Sequence, residues 1–387
     1  MARYKVSMKQ ISLIIFALLL FSCNLTPQTP EPELDNPKNT IQLSILLDVS
    51  GSMEGLIAQA QTELWGVVNE VAKAKKDGFP SSIQIGLYSY GMADRNSENG
   101  FIRKLIDFTG DVDTISKVLF SLKTSGSAEY CGQVISKAQA ELTWLPVDSV
   151  YKVIFIAGNE EFTQGPINYV TACTNANENN IFINTIHCGD ETTGRNQHWA
   201  DAARIGKGEY FWINANRVQA FVPSPYDDII DKYNDSLNDT YWGYGNGGSN
   251  YKSMQMSGDA VNKSANKKAY YERVKNKTKK HVYEKNTAKW DLTSKVQTDT
   301  AILKELKDEQ LPEQLKGKSQ SEKKEIIVVN QLARDSFTKK IEYFSNLRDT
   351  FVSEERTKKP ILNQELSLGE AISAAIRRQA GMKGFVF

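Results

Sequence analysis

Histidine is almost missing from this chain, with three among 387 residues. That excludes a His-rich metal centre and leaves too few imidazoles for a structural zinc site. His187 and Cys188 are adjacent on an expected strand. Their side chains therefore point to opposite faces. A core cysteine and a hydrogen-bonded histidine are the simpler reading. There is no G-x-S-x-G, since Gly51-Ser52-Met53-Glu54-Gly55 lacks its spacing, so Ser50 and Ser52 are poor nucleophiles. No G-x-x-x-x-G-K-[ST] phosphate loop is present either. Net charge is +1, which excludes a nucleic-acid binder by composition. The balance hides an asymmetry. Residues 251–387 hold 28 Lys and Arg against 18 Asp and Glu, and residues 1–250 hold 19 against 28. With 40% hydrophobic and 24% charged residues the chain is globular in composition, neither disordered throughout nor polytopic. Its length suits two domains and a tail.

The one unbroken apolar run, Ile11 to Phe21 apart from Ser12, follows Arg3, Lys5 and Lys9. It is short for a bilayer span and has the length of a signal-peptide core. It ends in Leu20-Phe21-Ser22-Cys23, which resembles the lipobox of bacterial lipoproteins, with the bulky Phe21 as a departure. The resemblance implies cleavage before Cys23 and lipidation of its thiol, so that residues 1–23 are a signal peptide and the protein is anchored rather than spanning. The alternative is a plain secretory signal with an incidental cysteine. Asn24 in place of Asp favours the outer membrane by the same resemblance. Residues 24–40, with Pro27, Pro30, Pro32 and Pro37, read as an extended tether. Cys131, Cys173 and Cys188 remain, an odd set that leaves at least one thiol without an intramolecular partner. Buried small residues and a single disulfide are equally compatible with them.

From Ile41 the pattern alternates strand and helix. Ile41, Leu43, Ile45 and Leu47 alternate with Leu46 also apolar, a strand buried on both faces that stops at Asp48. Residues 54–76 have helical spacing. Strands are expected over 82–90 and 101–108, the latter pairing antiparallel because no helix separates them. Helices follow over 112–122 and 131–144, a buried strand over 150–157, then a helix over 166–179. The strand 181–188, the helix 198–205 and the strand 209–213 complete the alternation. The fold class is α/β, a doubly wound, mostly parallel sheet, followed by a mainly α-helical C-terminal region. Ligands of such sheets bind at the carboxyl ends of the strands.

Asp48-Val49-Ser50-Gly51-Ser52 stands at the end of the first strand and opens a helix. This D-x-S-x-S in that position resembles the metal-ion-dependent adhesion site of the von Willebrand factor A (VWA) domain, and the resemblance covers roughly residues 41–220. It implies that Ser50 and Ser52 bind Mg²⁺ or Mn²⁺ directly and that Asp48 helps through water. Hard cations favour such oxygen donors. The family completes its site with a Thr and an Asp from two further loops. Here Gly126 and Ser127 fall at the family's glycines and Ala128 at its threonine, leaving Ser127 or Glu129 as substitutes. Gly158 falls at the Asp, with Asn159 and Glu160 just beyond. Two readings stay open: a variant metal site, or a metal-free turn in which Ser50 or Ser52 caps the first helix. The string Ala157-Gly158-Asn159-Glu160-Glu161-Phe162-Thr163-Gln164-Gly165-Pro166, the triplet His187-Cys188-Gly189 and Thr240-Tyr241-Trp242-Gly243-Tyr244-Gly245 also resemble a group of bacterial VWA lipoproteins. That second resemblance implies no activity.

Residues 221–250 are rich in aromatics and glycine and read as a connector packing on the sheet domain. Residues 251–387 are basic with helical periodicity, a small bundle or a long helical arm whose lysines line a solvated face. The tail carries an amphipathic helix from Leu368 and ends in Gly-Phe-Val-Phe, to dock on a partner or to close its own core. The function expected is a lipid-anchored envelope scaffold that recognises a protein partner through an acidic side chain, not an enzyme. A structural lipoprotein with a vestigial site comes next, and an envelope hydrolase last. Metabolic labelling with a fatty acid is expected to mark the wild-type chain and to miss Cys23→Ser. Label retained in that variant contradicts the anchor.

Overall fold

The computed structural model describes residues 37–92, 100–126, 128–216, 221–358 and 366–387. The expected signal peptide, Cys23, most of the tether and Ser127 lie outside the described residues. Residues from Asn36 to Phe387 form one unit.

Along the chain, β1 (Thr40–Asp48) leads into α1 (Glu54–Val71), then β2 (Lys75–Lys76), β3 (Phe79–Pro80), β4 (Ser82–Tyr90) and β5 (Arg103–Thr109). After α2 (Val112–Ser121) and α3 (Cys131–Glu141) come β6 (Tyr151–Gly158), α4 (Tyr169–Glu178) and β7 (Ile181–Cys188). The sheet domain ends with α5 (Glu191–Asn196), α6 (Trp199–Ile205) and β8 (Lys207–Ile213). Its six strands lie in the order β5-β4-β1-β6-β7-β8. All pairings are parallel except β4 with β5, as the sequence pattern predicts.

β1 sits centrally and every residue of it is buried. Its odd-numbered apolar residues, Ile41 to Leu47, enter one core with α1. Leu46 enters the other, with Cys131, Val134 and Trp199. A strand covered on both faces must be apolar at successive positions, which is why Leu46 breaks the alternation. Cys131, Cys173 and Cys188 are free thiols, the first two buried, so the set acts as small packing residues.

The first helix is shorter than its periodicity predicts. It ends at Val71, because Asp77 and Gly78 both take positive φ, 53° and 82°, and fold the chain into the β2–β3 hairpin. An Asp-Gly pair is the turn chemistry that favours this.

The C-terminal half comprises α7 (Asp227–Asp239), α8 (Gly248–Ala265), α9 (Lys267–Asn276), α10 (Lys280–Thr287), α11 (Leu292–Thr298), α12 (Ile302–Glu305) and the 38-residue α13 (Gln320–Thr357). The chain finishes with α14 (Leu368–Gly381) and β9 (Phe385–Val386). Two of these helices return to α1. Asn266 of the α9 cap donates to Thr62 Oγ1 at 2.7 Å, and Asn69 donates to the Glu272 carbonyl at 2.8 Å. At the α14 cap, Ser367 Oγ donates to Glu63 at 2.7 Å and the Leu368 amide to Gln59 at 3.0 Å. β9 then pairs antiparallel with β2, and Phe385 is buried while Val386 is 70% exposed. The aromatic tail closes its own core.

The connector does not pack on the sheet as expected. Tyr241 lies with Tyr270, Tyr283 and Trp290, and Trp242 with Leu292 and Leu303, among the helices. The cause is a buried ion pair. Arg334 of α13 binds Asp291 at 2.7 Å, reaches Thr240 Oγ1 at 3.1 Å and lies 4.3 Å from the centre of the Tyr241 ring. Asp291 in turn accepts from the Trp242 amide at 2.7 Å. Nor are the basic residues of this region all on a solvated face. Arg273 and Lys277 are buried around Asp259, at 2.7 and 2.5 Å.

A buried charge left alone costs far more than the pair contributes. Arg334→Met is expected to lower stability to urea by about 3–5 kcal/mol. Adding Asp291→Leu should recover part of the loss, and a double variant no more stable than the single would contradict the pairing.

Candidate functional site

Three loops meet at the carboxyl end of β1. Parallel strands place the first and third there, since β1 and β6 end on the same edge, and the second loop, between α2 and α3, is tied to them by hydrogen bonds. The Val49 amide donates to the Tyr90 carbonyl at 2.9 Å. The second loop is tied to the first by Ser125 N–H to Val49 O at 2.8 Å and Gly51 N–H to Gly126 O at 3.1 Å.

Asp48 is fully buried and accepts from the Ser50 amide through Oδ1 at 2.7 Å. Its Oδ2 has no hydrogen-bond partner. Ser50 is buried and Ser52 exposed, with 3.3 Å between their hydroxyl oxygens. Neither hydroxyl caps α1, whose N-cap is Met53 with no side-chain bond. The reading in which one of these serines serves as the helix cap is therefore corrected, and both hydroxyls face the loop cluster instead.

Glu129 is 2% exposed, and its Oε2 also lacks a partner. Its backbone amide donates to Gln164 Oε1 at 3.3 Å. Asn159 donates to Ser52 Oγ at 3.3 Å and leaves its own Oδ1 unpartnered. Glu160 is half-buried and acts on Asp48 and Glu129 through its charge. Asp48, Ser50, Ser52, Glu129 and Asn159 are thus brought together, Glu160 stands at the edge, and Ser127 lies outside the described residues.

Burial pushes the Asp48 carboxyl up to about 6, against hydrogen bonds from Ser50 that lower it. Burial pushes Glu129 up to about 8, with the charges of Asp48 and Glu160 adding to the rise. Two carboxylates in one dry site cannot both ionise cheaply.

Three residues outside the expected oxygen donors shape the site, and of these only Gly158 was singled out in the sequence. Gly91 has φ +81°, and a Cβ there would stand 2.9 Å from Asp48 Oδ1 and 3.3 Å from Glu129 Cγ. At Gly158 a Cβ would stand 2.5 Å from the Tyr90 hydroxyl and 3.1 Å from Asp48. A larger side chain at Gly158 would therefore not fit, and Asn159 and Glu160 follow it on the loop with side-chain oxygens. Gln164 orients Glu129 from within the third-loop string, where its place in the quoted motif was the available signal.

The carboxyl shifts have a definite sign. A raised folded-state value means stability that is complete below the ordinary value and is lost as pH rises through the folded one. In chelator the melting temperature should fall from about pH 4 to about pH 8 as Asp48 and then Glu129 ionise. Glu129→Gln should flatten the upper part of that fall. A variant with the wild-type slope would show that Glu129 does not hold the proton.

No family model matches the chain, and no curated protein matches it. Several solved structures resemble part of it. BatB from Bacteroides thetaiotaomicron aligns at 17% identity over 45% of this chain and 90% of that one, with a TM-score of 0.34. The VWA domain of SpRpn10 aligns at 20% identity over 45% and 87%, with a TM-score of 0.33. Proximal thread matrix protein 1 from the mussel byssus, with a zinc-occupied MIDAS motif, aligns at 13% over 45% and 41%, with a TM-score of 0.34. By its own strand order, and by the seat of Asp48-Val49-Ser50-Gly51-Ser52 at the end of the central strand, the sheet domain has the von Willebrand factor A-type fold.

Proposed function

We propose that the sheet domain is a cation-dependent protein-recognition module, held in the cell envelope by a lipid on Cys23 and probing its surroundings from the 24–40 tether. The observation that carries the reading is the meeting of buried, unpartnered oxygens from three loops: Asp48 Oδ2, Glu129 Oε2 and Asn159 Oδ1. Buried polar atoms are ordinarily paired. A cluster of anionic and neutral oxygen atoms is the donor set of a hard divalent cation, Mg²⁺ or Mn²⁺. Among the described residues no three His, Cys, Asp or Glu side chains group as a metal site by themselves. The hydroxyls of Ser50 and Ser52 therefore belong to the proposed donor set.

In this reading Asp48, Ser50 and Ser52 hold the ion, and Glu129 and Asn159 replace the family's Thr and Asp. Glu160 adds charge at the rim, and Ser127 remains a candidate on the second loop. When bound, the cation would offer a coordination position to an acidic side chain of a protein partner. The chain's own residues position and desolvate that contact. Gly91 and Gly158 leave room for Asp48, while Tyr90, its hydroxyl donating to the Ala157 carbonyl at 2.9 Å, backs it.

A binding module suits the site better than a hydrolase. His187 is held at 3.1 Å by Asp190 O and at 3.1 Å by Gln197, and His198 lies beside Tyr169. Neither is placed as a base for Ser50. One observation favours a second reading, a metal-free scaffold. With its carboxyl raised to about 8, Glu129 carries a proton at neutral pH and relieves the site without an ion.

Calorimetric titration of the chain from residue 24 onward with Mg²⁺ and Mn²⁺ separates the two. Saturable binding that vanishes in Asp48→Ala supports the cation-dependent module. No heat in either protein leaves the metal-free scaffold.

A further inference from the structure

At the amino ends of the parallel strands, β3, β2 and β9 form a small sheet of their own. Asn39, just before β1, donates to the Lys76 carbonyl at 3.4 Å, and β3 runs straight into β4 beside Thr40. The eight steps from Thr40 to Asp48 put this pole about 26 Å from the end of β1 where the loops meet.

Antiparallel pairing sorts the side chains of the small sheet. Lys76 stands opposite Phe79 and Phe385, and Lys75 opposite Pro80 and Val386. Opposed residues share a face and successive residues alternate. Lys76 and Phe385 are on the covered face, with the Lys76 Nζ 4.7 Å from the centre of the Phe385 ring. Lys75, Pro80 and Val386 are on the open one. Val386 is 70% exposed and Met382, at the end of α14, is 69% exposed.

Lysines gather at the same pole. Lys76 Nζ donates to the Ser149 carbonyl at 2.6 Å, and Lys383 Nζ to the adjacent Asp148 carbonyl at 3.2 Å. Burial pushes the Lys76 and Lys152 ammoniums down. The positive charge of Lys383 adds to the fall at both, and that of Lys38 adds to it at Lys76. Lys38 and Lys75 are exposed, and Lys75 has no ion pair among the described residues. Against these five lysines stand Asp77, Asp148 and the carboxylate of Phe387.

Exposed apolar side chains set among lysines in excess of acids suit a surface that is negative outside and apolar just beneath. The described chain also enters at this pole, at Pro37 and Lys38. Cys23 precedes Pro37 by 14 residues, a reach of at most about 50 Å. A lipid on that thiol would keep this pole near a bilayer and raise its effective concentration there. We propose that this pole, through Lys38, Lys75, Lys383, Met382 and Val386, docks on an anionic lipid surface and turns the Asp48 loops away from the membrane. The choice of a bilayer as occupant rests on the lipid reading of Cys23, and the test uses a chain without that lipid so that the two fail separately.

Cosedimentation with vesicles tests it on the chain from residue 24 onward, which lacks Cys23 and contains the whole described unit. The vesicles are phosphatidylcholine alone, or phosphatidylcholine and phosphatidylglycerol in equal parts. The expected result is binding to the anionic vesicles only, lost at high salt. Lys38→Ser with Lys75→Ser should weaken it about 25-fold, roughly fivefold for each lysine. Val386→Asp should weaken it as well. All three positions are exposed, so an unchanged melting temperature checks that the variants fold. Lys324→Ser with Lys339→Ser removes the same charge from exposed positions of α13 and should leave binding unchanged. No binding to the anionic vesicles overturns the proposal. Equal loss in the two double variants, binding unchanged by Val386→Asp, or equal binding to neutral vesicles overturns it too.

Discussion

Two carboxylates buried side by side without a basic partner are the constraint around which the sheet domain is arranged. Asp48 and Glu129 come from different loops, are almost completely removed from solvent, and each leaves an oxygen without a hydrogen bond. In the helical half the most deeply buried charges are paired: Arg334 with Asp291, and Arg273 and Lys277 with Asp259. Burying a charge unpaired is costly enough that the group usually neutralises instead. The raised carboxyls of Asp48 and Glu129 are that response, and a divalent cation is the other way to relieve the same strain.

The scaffold brings these groups close because it is closed on every side. β1 lies in the middle of the sheet with both faces covered, so its last residue, Asp48, has little freedom to turn toward water. Gly91 and Gly158 supply the space that a side chain would have taken. The chain then travels through a helical half and returns. α14 seats its cap on Glu63 and Gln59 of α1, and β9 extends the β2–β3 hairpin. The helix that follows the Asp48 loop is thus fixed by residues more than 300 positions away.

Much of this was legible in the sequence where one physical signal dominated. The apolar alternation from Ile41 to Leu47, with Leu46 added on the other face, required a strand covered on both faces, and the absence of a helical pattern before Arg103 required the antiparallel edge. Placing Glu129 and Asn159 near Asp48 followed from the two loops at which the resemblance puts the family's Thr and Asp. What escaped the reading depended on distant partners. Helical spacing past Val71 hid a hairpin whose Asp77-Gly78 turn was visible but whose second partner, β9, was not. The Thr240-to-Gly245 aromatics looked like a connector on the sheet, because nothing local reveals that Arg334 and Asp291 draw them among the helices. Lysine-rich periodicity likewise gave no hint that Lys277 is fully buried. The vacancy at the family's Asp position was visible as Gly158, but its reason, the Tyr90 hydroxyl behind it, is a tertiary fact.

The central claim is that the buried oxygens of Asp48, Glu129 and Asn159 form one cation site with Ser50 and Ser52. An anomalous difference map from crystals grown with Mn²⁺ addresses it directly. The account predicts one strong peak in contact with Asp48 or Ser50 and within reach of Glu129, absent from crystals of Glu129→Gln grown alike. A map with no peak among these loops, or a peak only elsewhere on the surface, would contradict it.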